Sequence, residues 1–166
     1  MNRQIVVIAH NIRSAHNVGS IMRTCEGIGV AKLFLSGYTP YPAAPNDSRM
    51  PHVAKKSDEK IAKIALGAEK LLDWQYEGDI VYLIEKLRND GYKIVGLEQT
   101  IKSVPLPSIN TKEGKLCLIV GNEVNGLDNS VLNQLDMIVE IPMLGKKESF
   151  NVVQALAMTL YKLTFE

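Results

Sequence analysis

The sequence predicts an α/β protein built on a parallel sheet with helices on both faces. Two observations carry that prediction. Apolar runs of five or six residues recur without the polar alternation of a half-exposed strand, as expected of strands covered on both faces. Between them lie segments whose apolar residues repeat at helical spacing, and strands that alternate with helices indicate an α/β arrangement.

The first run, IVVIA (residues 5–9), reads as a buried strand. It is followed by NVGSIMRTCEGIG (17–29), which places Val18, Ile21, Met22 and Cys25 on one helical stripe, with Gly29 as its stop. KLFLS (32–36) is the second strand. The stretch SGYTPYPAAPNDSRMPH (36–52) then holds four of the seven prolines and interrupts the alternation. Irregular loops of that length are uncommon in compact domains and often functional, although a tolerated surface insertion would look the same. Two further runs, YKIVGL (92–97) and LCLIV (116–120), read as strands, and DIVYLIEKLRNDG (79–91) as a helix with an acidic start and a glycine end. MIVEIP (137–142) is a fifth strand, ending at a proline that cannot donate to a ladder. ESFNVVQALAMTLYKL (148–163) closes the chain as a helix, with Val153, Leu156, Ala157 and Leu160 as its core stripe. No repeat or linker divides the chain, so residues 1–166 read as one domain.

Composition narrows the function classes. Hydrophobic residues make up 46% and charged residues 22%, as in ordinary globular proteins, and no stretch approaches the length of an apolar membrane span. The N-terminal apolar run is too short for a signal-peptide core and lacks a small-residue cleavage site, so a cytoplasmic protein with no membrane association is expected. Cys25 and Cys117 form no C-x-x-C pair and read as buried, reduced thiols. His10, His16 and His52 have no cysteine or carboxylate spaced as metal ligands, and no metal is expected. The net charge of +1 is neutral about nucleic acid, but HVAKKSDEKIAKIALGAEK and LGKKES concentrate lysines. Each is either a local phosphate-binding patch or a solvated helix face.

The segment IVGNEVNGLD (119–128) ends a strand in glycines spaced G-x-x-x-x-G, the first half of a P-loop. A P-loop continues with lysine and a hydroxyl residue, whereas Gly126 is followed by Leu127 and Asp128. Both triphosphate-binding side chains are missing, and Asp128 would repel one. A dinucleotide fingerprint is G-x-G-x-x-G at the first strand–helix turn, which this is not. What remains is either a loop that brings backbone close to a ligand, or a tight turn before a short helix, DNSVLNQL, capped by Asp128.

Two further segments bear on that choice. NIRSAHNVGSIMRTCEGIGV contains Asn17-x-Gly19-x-x-x-Arg23, and IPMLGKKESFNVVQALAM contains Ser149-x-Asn151. With IVGNEVNGL between them, the sequence resembles the SpoU family of RNA 2′-O-ribose methyltransferases, in the SPOUT class, through three motifs in order along nearly the whole chain. The resemblance implies a parallel-sheet α/β fold whose C-terminal part is tied into a deep trefoil knot. It also implies S-adenosylmethionine as cofactor, RNA (tRNA or rRNA) as substrate, and a homodimer. Asn17 and Arg23 match the first motif, Glu123 the second, and Ser149 and Asn151 the third; these are the catalytic candidates. The cofactor would lie against Leu97, Glu98 and Gln99, against Gly121, Asn122 and Glu123, and against Ile141, Met143 and Leu144, with Ser149 and Phe150 completing the pocket.

Phe150 stands where the family usually has leucine, Val153 where it has a small serine-like residue, and Gln154 at a common apolar position. Val124 and Asn125 replace a frequent glycine. None of these removes a group assigned to chemistry. Arg23 is often taken as the base in this family, but a guanidinium does not deprotonate in proteins. Its physical role is a bidentate hold on the target phosphate and stabilisation of developing negative charge; an Arg23–Glu123 ion pair tying two loops is the structural alternative. Asn17 and Ser149 could each serve as helix N-caps. Met158, Tyr161 and Leu163 flank the core stripe of the last helix and are expected at the dimer interface. Substrate recognition is expected from the dimer surface, the Pro-rich loop and the patches of Lys55, Lys56, Lys60, Lys63, Lys146 and Lys147. Two other readings stay open: an RNA-binding protein that keeps the fold without turnover, and a knotted enzyme that methylates a base.

Overall fold

The protein is described here by a computed structural model covering residues 3–110 and 112–166. Its elements run β1 (Gln4–His10), α1 (Ala15–Ile28), β2 (Lys32–Ser36), α2 (Pro51–Ala65), α3 (Ala68–Leu71), β3 (Trp74–Glu77) and α4 (Ile80–Asn89). They continue with β4 (Lys93–Leu97), β5 (Val104–Pro105), β6 (Lys115–Val120), α5 (Asn129–Leu132), β7 (Met137–Glu140) and α6 (Val152–Phe165). The strands form one seven-stranded sheet in the order β3-β2-β1-β6-β4-β7-β5, and each neighbouring pair is parallel.

Alternation along the central strands explains why their runs carry no polar gaps. Val7, Ala9, Leu33, Leu35, Leu116, Leu118 and Val120 face one core, and Val6, Ile8, Phe34, Cys117 and Ile119 face the other. The first core is closed by Ile21, Met22 and Cys25 of α1, Ile61 of α2, and Leu156, Leu160 and Leu163 of α6. The second is closed by Ile80, Leu83, Ile84 and Leu87 of α4 and by Val131 of α5. A strand buried on both sides has no solvent face to encode. The free thiols Cys25 and Cys117 sit in opposite cores, and burial raises both above the ordinary thiol range.

Caps set the helix ends. Gly29 closes α1 in the left-handed region at φ +81°, and Asp79 opens α4 by accepting from the N–H groups of Val81 and Tyr82. Asp128 opens α5 by accepting from Val131 N–H. Two expected caps are corrected. Helix α1 starts at Ala15 with Ser14 as its N-cap, so Asn17 lies inside the first turn. Helix α6 is capped by Asn151, which accepts from Val153 N–H at 2.9 Å, and Ser149 lies two residues before it. Leu163 is also corrected: at 2% exposure it belongs to the core, while Met158, Tyr161 and Phe165 are the exposed apolar side chains of α6.

Gly19 has a packing role. A Cβ there would stand 2.7 Å from the Ile61 carbonyl and 2.8 Å from Ile64 Cβ, so α1 and α2 cross in backbone contact at this glycine. The Pro-rich stretch is ordered by Arg49, whose guanidinium donates to the Tyr41 and Pro42 carbonyls and to Asp47, and lies 3.4 Å from the centre of the Tyr41 ring. Tyr41 stacks on Tyr76 at 4.2 Å, and the Tyr76 hydroxyl donates to the Gly37 carbonyl. The hydrogen bond from Arg49 holds the Asp47 carboxyl well below its usual range. Irregular backbone thus has a fixed shape here, and its last residues, Pro51 onward, are already helix α2. Among the described residues no helix is long and apolar enough to cross a membrane, and no group of metal-ligating side chains gathers.

Candidate active site

In an open parallel sheet the carboxyl ends of the strands are where ligands bind. Here the exits of β4, β6 and β7 meet around a cleft of about 270 Å³, with the start of α6 as its far wall.

The β6 exit is the segment GNEVNG, and its geometry is fixed by the chain itself. Asn122 and Gly126 pair through N–H donors in both directions, at 3.2 and 2.9 Å, closing a tight hairpin. The Asn122 side chain uses its full capacity: Oδ1 accepts from the Val124 and Asn125 N–H groups, and Nδ2 donates to the Asn11 carbonyl and to the Tyr38 hydroxyl. A Cβ on Gly121 would lie 2.7 Å from the Gly126 carbonyl group, and one on Gly126, whose φ is +66°, would clash with Glu98 Oε2. The two glycines therefore serve first for close approach of the chain to itself; the reading of them as openings toward a ligand is corrected to that extent. Glu98 in turn accepts from Leu127 N–H at 2.9 Å and from Gln99 N–H at 2.9 Å, tying the β4 exit to the hairpin.

Glu123 turns toward the start of α1. Its carboxylate accepts from Arg13 N–H at 2.9 Å, Ser14 N–H at 3.2 Å and Asn17 Nδ2 at 2.8 Å. Partial burial pushes its pKa up, but the donors from Arg13, Asn17 and Ser14 outweigh burial and leave the carboxyl below its ordinary value. Asn17 Oδ1 accepts from Asn151 Nδ2 at 3.4 Å. One residue from each of the three motif segments therefore joins a single hydrogen-bonded chain, Asn151–Asn17–Glu123.

Of the expected cofactor residues, Leu97, Glu98, Gln99, Gly121, Asn122, Glu123, Ile141, Ser149 and Phe150 line the cleft; Met143 and Leu144 lie on the same β7–α6 connection but outside the lining. Arg23 is not brought in. It is exposed on α1, two turns beyond His16, and among the described residues it forms no ion pair with Glu123. The expected Arg23–Glu123 contact is replaced by the N–H donors at the start of α1. Sequence reasoning did not single out Glu140, Glu148, Val152 and Ala155, which also line the cleft. Nor did it single out Ser14, although a serine just before an apolar helical stripe is a readable cap signal.

The lining includes four carboxylates, Glu98, Glu123, Glu140 and Glu148, and no lysine, arginine or histidine. Leu97, Ile141, Phe150 and Val152 supply apolar surface. Such a site suits a ligand with positive charge and a flat apolar part, and disfavours a triphosphate.

Comparison with known proteins adds the lineage. The SpoU rRNA Methylase family matches residues 4–161. The chain belongs to that family. Relatives in it include a tRNA (guanosine(18)-2′-O)-methyltransferase of Borreliella burgdorferi, 26% identical over 161 residues, which make up 96% of this chain and 65% of that protein. A mouse protein, tRNA (guanosine(18)-2′-O)-methyltransferase TARBP1, is 27% identical over 97% of this chain and 9% of its own length. The chain thus spans less than two thirds of either relative. The crystal structure of the Aquifex aeolicus TrmH/SpoU tRNA modifying enzyme superposes with a TM-score of 0.78 at 25% identity, covering 98% of this chain and 76% of that one. The seven-stranded parallel sheet is therefore the SpoU fold.

Proposed function

We propose that the protein is an S-adenosylmethionine-dependent methyltransferase that modifies a ribose 2′-hydroxyl of RNA, in tRNA or rRNA. The observation that carries the reading is the Asn151–Asn17–Glu123 chain, which joins an acidic, partly apolar cleft through Glu123 in its lining. The family name points to rRNA and the relatives' names to tRNA, so both substrates belong in the test.

The acidic cleft fits the cofactor chemically. S-adenosylmethionine, when bound, supplies an electrophilic methyl group on a sulfonium. Its positive charges suit the carboxylates, and its adenine suits the apolar walls and the backbone of Leu97–Gln99, Gly121 and Ile141. Glu123 works as a fixed acceptor that sets the position of Asn17. The amides of Asn17 and Asn151 are then placed to orient the ribose that receives the methyl, the requirement that dominates a displacement needing aligned reactants. Ser149 stands at the cleft wall beside them. Arg23, exposed on α1, is free to hold the phosphate next to the target ribose and to balance charge that develops on its oxygen.

The functional unit we propose is a homodimer formed through α6. Exposed Met158 and Tyr161 of that helix, with Leu106 and Pro107, line a shallow apolar groove that a second copy would cover. We also propose the C-terminal trefoil knot. Support comes from β7 lying between β4 and β5, and from the β7–α6 connection returning past the β4 and β6 exits. A reducing compartment, the cytoplasm, agrees with two free cysteines held in separate cores.

The test is incubation with methyl-labelled S-adenosylmethionine and bulk tRNA or rRNA, followed by alkaline hydrolysis, for the protein and for Arg23→Ala. Label in alkali-resistant dinucleotides, lost or greatly reduced in Arg23→Ala, is the expected result. Label on a base would make the protein a base methyltransferase. RNA binding without any transfer would make it a binding protein.

A further inference from the structure

A second concave surface lies at the α1 entry, where Arg13 N–H meets Glu123. Its lining is Arg13, Pro40, His52, Lys56, Ser57 and Lys60, with Ala15 and Val53. It contains three cationic side chains and no carboxylate. From this arrangement we infer that the groove is the track for the RNA backbone flanking the target ribose; the inference rests on RNA being the substrate.

Three observations carry it. The cations are not neutralised: among the described residues Arg13, Lys56 and Lys60 form no salt bridge. The acids of the same region are turned elsewhere. Asp58 accepts from Ala43 N–H at 3.0 Å, Glu59 lies 3.9 Å from Lys55, and Asp47 is paired with Arg49. Helix α2 therefore presents Lys56 and Lys60 to the groove with their charge intact. The two are one helical turn apart, about 6 Å between their Cβ atoms, the order of separation of neighbouring phosphates on one strand.

The third observation is continuity with the cleft. Arg13 lines the groove, and its backbone N–H holds Glu123 of the cleft. A strand whose ribose stands at Asn17 and Asn151 leaves the cleft past Arg13 and runs toward α2. The groove and the cleft also differ in charge, cationic where a polyanion would run and acidic where a sulfonium would bind. Rims of that kind position a nucleic acid without reading its sequence. Of the lysines expected to meet substrate, Lys56 and Lys60 belong to the track, and Lys55 does not line it.

Binding of bulk tRNA and bulk rRNA, measured by fluorescence anisotropy across a salt series, tests this apart from turnover. Lys56→Gln/Lys60→Gln is compared with Lys70→Gln/Lys86→Gln, which removes equal charge from exposed positions outside the groove. The first variant is expected to bind roughly tenfold more weakly near 0.1 M salt, with the slope of log K against log salt reduced by roughly 1.5. The second should keep the wild-type slope, and both should titrate S-adenosylmethionine as the wild type does. Equal losses in the two variants, or an unchanged slope in the first, would overturn the assignment. So would tight binding of polyglutamate at the groove with RNA binding unaffected, which would mark an acidic protein as the occupant. If the wild type binds RNA with the predicted slopes but transfers no methyl, the track stands and the enzymatic reading falls.

Discussion

The side-chain amide of Asn17 donates to Glu123 Oε1 at 2.8 Å across a sequence separation of 106 residues. That bond fastens the start of α1 to the hairpin after β6, and Asn151 extends it to the cap of α6. Polar residues that look unrelated in the sequence are one construction. Glu123, which lines the cleft, supplies the acceptor, two backbone N–H groups of the α1 entry orient it, and the Asn17 amide is held beside it as a consequence.

Glu123→Ala is expected to cost stability as well as activity. The N–H groups of Arg13 and Ser14 and the Asn17 amide would lose their acceptor, and the site is only partly open to replacement by water. A loss of about 1–2 kcal/mol follows from stranding such donors. Urea denaturation gives the number; an unchanged midpoint would show that Glu123 does not hold the α1 entry.

Gly19→Ala sets two effects against each other. Alanine in a helix interior gains about 1 kcal/mol over glycine. The new methyl, however, would sit 2.7 Å from the Ile61 carbonyl, and backbone on both sides leaves little room to yield. Overpacking of that kind costs about 1–3 kcal/mol. Net destabilisation is predicted, read as a lower denaturation midpoint; a more stable variant would show that α1 and α2 separate freely.

Gly126→Ala tests the hairpin. Its φ of +66° disfavours a side chain by roughly 1–2 kcal/mol, and the added Cβ would displace the Glu98 carboxylate from Leu127 N–H. Calorimetry should show weaker S-adenosylmethionine binding together with a lower melting temperature. A variant that melts lower but binds the cofactor as tightly would separate the hairpin from the cofactor site.

The pH dependence of stability has two separate windows. His10 is buried beside Ser36, 2.6 Å from Nδ1, with the Asn11 amide 3.0 Å from Nε2. Burial lowers its pKa, opposed by the charge of Asp128. The unfolded chain then binds the proton more readily, so stability is full above about pH 6.5 and declines as pH falls below it toward the folded value. Glu123 has a lowered pKa of the carboxylate kind, so its contribution is present above about pH 4.5 and is lost only below that. Melting curves from pH 7.5 to 4 should show the first decline in the wild type and lack it in His10→Gln.

The parts of the fold governed by local sequence were readable, and the parts governed by distant partners were not. Buried strands announced themselves because burial on both faces demands apolar residues throughout. Gly29 and Asp79 marked their helix ends because left-handed backbone and orphan N–H groups have few chemical solutions. Strand β3, with a mostly polar WQYE sequence at the sheet edge, carries no such signal. Neither does β5, two residues including a proline that only an edge strand tolerates. At the site, three motif segments were visible by resemblance, but the partner of Glu123 was not. Its charge suggested an arginine, whereas N–H groups at a helix start satisfy a carboxylate equally well and leave no charged signature. The role of Gly121 and Gly126 was hidden for a similar reason: nothing in G-x-x-x-x-G says whether the close neighbour is a ligand or the chain itself.

The claim that three distant segments build one methyl-donor site is tested most directly by a crystal structure with S-adenosylmethionine bound. The donor is expected in the acidic cleft, its adenine against the backbone of 97–99 and 121, and its sulfonium on the side of Asn17 and Asn151. Donor density elsewhere on the molecule, or an empty cleft at saturating donor, would contradict it.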